Sequence, residues 1–128
     1  MKKLHIARKK NRKKIIEDSW NLDNSFCNWI IPRLKQLRDK SFGYPGCLDI
    51  TCKYQGTVNK DFVDTNNLNE YFNDDEDEPG NTAWKKILSE MITGFEEYRE
   101  KSYNIDFDYS KTQNSLRFFK LFFRHLWD

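Results

Sequence analysis

From Trp84 onward the chain places Ile87, Leu88, Met91, Ile92, Phe95 and Tyr98 at the three- and four-residue steps of an α-helix, with Lys85, Lys86, Glu90, Glu96, Glu97 and Arg99 on the other side. A stripe with this period does not fit a strand, and it must be buried against another apolar surface. Two further segments offer that surface. Residues 20–39 repeat Leu22, Phe26, Trp29 or Ile30, Leu34 and Leu37 at helical spacing, and the run 116–127 gathers Phe118, Phe119, Phe122, Phe123 and Trp127. Trp20 and Trp84 read as the anchors of the first two segments. The patterning predicts a mostly α domain of three main helices, with a basic N-terminal segment as a fourth.

Local signals set the expected boundaries. Asp18 or Ser19 caps a first turn and Asp23 caps the longer helix behind it. Pro32 interrupts that helix and kinks it near Asn28 unless a helix end falls there. Phe42-Gly43-Tyr44-Pro45-Gly46 is a stop signal. Leu48, Ile50, Cys52 and Tyr54 alternate with polar residues, and Gln55-Gly56 offers a turn, so a short β-hairpin insertion is expected there. Residues 66–72 suit one or two helical turns, and residues 73–80 an acidic loop. Asn81 or Thr82 caps the second Trp helix, and Ser110 or Thr112 opens a last helix over residues 113–127. The expected organisation is a basic arm, residues 1–18, and one helical domain, residues 19–128, with an insertion at residues 46–83.

The net charge of +2 conceals a segregation. Residues 1–14 carry Lys2, Lys3, Arg8, Lys9, Lys10, Arg12, Lys13 and Lys14 without an acid. Residues 70–78 carry Glu70, Asp74, Asp75, Glu76, Asp77 and Glu78 without a base. Segregated charge points to a partner surface or to steering within the molecule. The candidate partner-binding residues are therefore Lys9, Lys10, Arg12, Lys13, Lys14 and Arg33 on the basic side and Asp74, Asp75, Glu76 and Asp77 on the acidic side. Phe119 and Phe123 join them, because the aromatic run covers more of a helix than a small monomer can bury. Lys and Arg neutralise phosphates, so nucleic acid is an alternative partner, although the arm lacks the interleaved aromatics that stack on bases.

Other chemistry finds little purchase. No stretch combines a nucleophile with a base or forms a phosphate-cradling glycine loop. Cys47 and Cys52 with His5 or His125 depart from zinc-ligand spacing, and the acidic run departs from a calcium loop. Asp23, Glu90 and His125 lack the Glu-x-x-His step of a bundle metal site. No enzyme activity, cofactor or metal is expected. The odd count of Cys27, Cys47 and Cys52 argues against a secreted disulfide framework, and no apolar run approaches the roughly 20 residues that span a bilayer. A reducing cytoplasm, no membrane partner, and either a monomer or a homo-oligomer are the expectations.

Several pieces together resemble a widespread group of small proteins of tailed bacteriophages. They are Trp20-Asn21-Leu22-Asp23, Ile30-Ile31-Pro32-Arg33-Leu34-Lys35 and Gly43-Tyr44-Pro45. Trp84-Lys85-Lys86-Ile87-Leu88-Ser89-Glu90-Met91-Ile92, Gly94-Phe95-Glu96 and the closing Leu126-Trp127-Asp128 follow. The resemblance covers the three expected core helices, about half the chain. It implies a phage setting and a recurring helical core, and it lends no activity. Asp23, Pro32 and Arg33 are its matched polar or special positions, read from the residues as a cap, a kink and a surface cation. The leading expectation is a non-enzymatic phage accessory protein that binds a host or phage macromolecule, a host or phage protein first, to take over the host or block its defences. A nucleic-acid-binding protein, a small-nucleotide sponge or hydrolase at an oligomer interface, and a virion component are the other classes.

Overall fold

The computed structural model describes residues 2–40, 43–51, 59–73 and 77–127. Five helices run in the order α1 (Lys2–Trp20), α2 (Leu22–Lys40), α3 (Lys60–Thr65), α4 (Pro79–Lys101) and α5 (Ser110–Phe122). Single 3-10 turns lie at Gly46–Leu48, Asn69–Tyr71 and Phe123–His125, and there is no strand among the described residues. The mostly α architecture agrees with the periodicity.

α4 is the centre of the fold because its apolar stripe is the broadest. Trp84, Ile87, Leu88, Met91, Ile92 and Phe95 are all buried, and both α2 and α5 pack along it. α2 contributes Cys27, Ile30, Ile31 and Leu34, and α5 contributes Phe118 and Phe122. Each such aliphatic or phenyl side chain stabilises the fold by roughly 1.5–3 kcal/mol when taken fully out of water. Edge-to-face ring contacts lock the layer: Trp84 meets Phe122 with centroids 5.1 Å apart, and Tyr71 meets Phe118 at 5.7 Å. Leu48, Val63, Leu68 and Tyr71 close one end of the core from the short elements.

The α4–α5 crossing is set by small residues. A methyl built on Gly94 would overlap Ser115 Oγ and the Lys111 backbone of α5. The fully buried Ser115 donates to the Met91 carbonyl at 2.9 Å, and Thr112 Oγ1 donates to the Gly94 carbonyl at 3.2 Å. The bare backbone at Gly94 thus admits α5, and two hydroxyls bond carbonyls at the contact.

Several boundaries differ from expectation. α4 begins at Pro79, ahead of Asn81 and Thr82, because proline suits a first helical turn and the buried Gly80 lets the Tyr44 ring sit against the helix. α2 runs through Pro32; Pro32 and Asn28 are exposed, so water can serve the carbonyl that loses its partner. Cys47 and Leu48, the expected start of a hairpin strand, lie in the first 3-10 turn, where Leu48 is fully buried; residues 52–58 fall outside the described residues. α3 stops in a left-handed Asn67 (φ 55°) with the Leu68 N–H returning to the Val63 carbonyl at 2.9 Å, a Schellman-type end. α5 gives way at Phe123 to a 3-10 turn instead of continuing to Trp127.

Trp20 and Leu22 are 77% and 65% exposed and stand outside the buried core. Ile30 rather than Trp29 faces the core, and of the tryptophans Trp84 alone is buried. α1 forms as a helix, yet every side chain from Arg8 to Glu17 is exposed and only Asp18 is half-buried. It projects from the body, joined to α2 through Asn21.

Candidate binding surface

α5 has two apolar faces. Thr112, Ser115, Phe118 and Phe122 point into the core. Tyr109, just ahead of α5, with Leu116, half-buried Phe119 and Phe123 follow the same helical period on a second face; Tyr109 and Leu116 are each 49% exposed and Phe123 63%. The second face borders the first turns of α2, and together they line a groove of about 610 Å³. Leu22, Phe26, Tyr109 and Leu116 form its walls, with Cys27, Phe95, Tyr98 and Thr112 along its floor. Phe26 links the groove to the C-terminal rings, lying edge-on to Phe119 at 5.6 Å and to Phe95 at 5.5 Å, while Phe119 reaches Phe123 at 5.4 Å. Tyr109 closes the other end against Phe107 at 4.7 Å.

The polar chemistry of the groove is sparse. Tyr98 donates its hydroxyl to Asp23 Oδ2. That bond, with a backbone N–H at Asn24, holds the Asp23 carboxyl below its ordinary range, and the same bond pushes the Tyr98 phenol up to about 12. Burial, followed by the Asp23 charge, raises the Cys27 thiol, so it is protonated at neutral pH and a poor nucleophile. An apolar trough with one orienting carboxylate is suited to holding an apolar partner segment.

The sequence-derived candidates are scattered. Lys9, Lys10, Arg12, Lys13 and Lys14 are exposed on α1, where Lys13 approaches Glu17 at 3.9 Å. Arg33 lies apart from them: it donates to its own helix at the Trp29 carbonyl (2.7 Å) and covers the Trp29 ring at 4.2 Å. Asp74, Asp75 and Glu76 fall outside the described residues, and Asp77 is exposed just ahead of α4. Phe119 and Phe123 are brought together, on the groove's extension.

Sequence reasoning missed the groove walls. It assigned Leu22 to the core stripe and Asp23 to a cap, whereas Asp23 sits in the first turn of α2 and holds Tyr98 across to α4. The available signal was a surplus: Tyr109, Leu116, Phe119 and Phe123 repeat on α5 beside a second set that already fills the core. Glu90, expected on the solvent side, is exposed but engaged, accepting from Tyr71 and, at 3.0 Å, from Asn114. Among the described residues no three His, Cys, Asp or Glu side chains converge as a metal site, and no helix is long and apolar enough to cross a membrane. In comparisons with known proteins the chain matches no family model, no curated protein and no solved structure.

Proposed function

We propose that this protein is a small non-enzymatic binding module that acts by taking an apolar segment of a host or phage protein into the α2–α5 groove. The observation that carries the reading is the groove of about 610 Å³ itself, whose walls Leu22, Tyr109 and Leu116 stay exposed while its polar lining is limited to Asp23, Thr112, Gln113 and the Tyr98 hydroxyl. A groove between helices lined by Leu and Phe suits an amphipathic helix, whose anchors recur at the same three- and four-residue steps. The resemblance to small tailed-phage proteins supports an accessory role in the host cytoplasm, in host takeover or defence blocking.

The test is capture of partners from infected-host lysate by the wild type and by Leu116→Lys, both washed at high salt, with mass spectrometry of the eluates. A stoichiometric protein kept by the wild type and lost by the variant is the expected result. Turnover of a substrate by the purified protein alone would overturn the reading.

A second reading has its own support. α1 presents the cations from Arg8 to Lys14 to solvent on a 19-residue helix, which suits contact with nucleic-acid phosphates. Nucleic acid captured at low salt, and lost as salt rises or when Lys9, Lys10, Arg12 and Lys13 are changed to Gln, would favour it.

A further inference from the structure

We propose that α1 and the solvent face of α2 form a binding surface for single-stranded nucleic acid, with bases stacked on Trp20 and Trp29. This rests on the nucleic-acid reading of α1 and names the form of the polymer and the residues that select it. The groove plays no part in it.

The charge of the molecule is divided by element. Residues 1–40, which hold α1 and α2, carry 12 cations and four acids, a net charge of +8, whereas residues 41–128 carry 10 cations and 16 acids, a net charge of −6. Three of the four acids are engaged: Glu17 lies 3.9 Å from Lys13, Asp23 accepts from Tyr98, and Asp39 accepts from Arg38 at 2.8 Å. The exposed cations of this end therefore set its field, and a polyanion is the complementary partner.

The cations surround α1. Arg8 and Arg12, Lys9 and Lys13, and Lys10 and Lys14 are three exposed pairs, each spaced by four residues and about 100° around the helix from the next. No apolar face is left along this stretch to enter a bilayer, as an interfacial helix requires. Phosphates can be met from any side.

The indoles supply what the cations lack. Trp20 is 77% exposed and Trp29 54%. At steps of four, three and four residues, Lys9, Lys13, Ile16 and Trp20 share one stripe of α1, and Trp29, Arg33, Gln36 and Lys40 share one stripe of α2; every one of them is exposed. Each indole thus stands in line with cations. The Arg33 guanidinium lies 4.2 Å over the Trp29 ring and donates to the Trp29 carbonyl at 2.7 Å, which holds the two groups as one platform. Aromatic rings and guanidinium planes both stack on unpaired bases. In a duplex those base faces are covered by their neighbours, so exposed indoles in line with phosphate-binding cations select a single strand.

The test measures binding of the full-length protein to labelled oligo(dT) and oligo(U) of roughly 15 nucleotides, and to a DNA duplex of equal length, by fluorescence anisotropy at rising salt. The variants are Trp20→Ala, Trp29→Ala and the Gln replacements of Lys9, Lys10, Arg12 and Lys13, each first shown to keep its helical circular dichroism. Single strands, of DNA or of RNA, are expected to bind more tightly than the duplex and to quench tryptophan emission. Each tryptophan variant is expected to raise the single-strand Kd about fivefold or more without changing the salt slope, whereas the Gln variant flattens the slope. A duplex bound as tightly as the single strands, or tryptophan variants without effect, would overturn base stacking and leave phosphate contact by α1 standing. No salt-dependent binding to any of the three probes would overturn both. Retention on phosphatidylglycerol vesicles without binding to the oligonucleotides would also overturn both and assign the surface to a membrane.

Discussion

At Gly94 a missing methyl group sets the distance between two helices. Glycine within a helix costs about 1 kcal/mol relative to alanine, so on propensity alone Gly94→Ala should stabilise α4. The overlap with Ser115 and Lys111 reverses the sign, because α5 must move out and its hydroxyl contacts stretch. We expect Gly94→Ala to destabilise the fold by about 1–3 kcal/mol in chemical denaturation, the range for overpacked cores. A neutral or stabilising result would mean that the crossing can open freely. The Asp23–Tyr98 pair is a second residue-scale device. The folded carboxyl titrates below its unfolded value, so its contribution is present above the ordinary Asp range and is lost as pH falls through the folded pKa. The phenol is shifted the other way, to about 12; its contribution is full below the ordinary Tyr range and is lost as pH rises through that value. Tyr98→Phe should therefore flatten the acid limb of stability against pH and remove one of two late phenols among the described residues from an ultraviolet titration, Tyr71, raised by burial and by Glu90, being the other. An unchanged acid limb would show that other carboxylates dominate it.

At the scale of the element, α5 shows what periodicity can and cannot reveal. Its inward set and outward set have the same chemistry and the same spacing. Phe118→Ala should cost about 3–5 kcal/mol, the toll of emptying a fully buried phenyl site. Phe123→Ala should change stability by no more than about 0.5 kcal/mol, because the ring is largely in water already. Thermal and denaturant unfolding of the pair separate the two faces; comparable losses would place Phe123 in the core. α4 was legible because one broad stripe admits one orientation. The start of α4 was not, since Pro79-Gly80 reads locally as a turn and becomes helical only when Tyr44 packs on Gly80. The groove was half legible for a related reason: the apolar surplus on α5 could be read, but Leu22 carries no mark that the core is full without it. Asp23 illustrates the limit for polar groups, since its partner lies 75 residues away.

At the scale of the whole molecule, the body and α1 have different claims to stability. The body is held by the buried layer around α4. From Arg8 to Trp20 α1 buries no side chain fully in the single chain, and a helix with little to pack against draws little stability from tertiary contacts. Its order should therefore be lost before that of the body. Amide hydrogen exchange is expected to be fast in α1 and slow in α4 of the same protein. Protection of α1 equal to that of α4 would show that the helix needs no cover.

The unequal burial of the tryptophans gives the protein a built-in optical separation. An aqueous collisional quencher reaches Trp20, Trp29 and Trp127 but not Trp84. The emission left at saturating quencher belongs to one indole, seated between α4 and the Phe122 ring. That residue reports the integrity of the core without interference from the surface, whereas the quenchable fraction carries Trp20 and so the environment of the arm. A single cuvette can thus follow the arm and the core as two signals from the unlabelled chain.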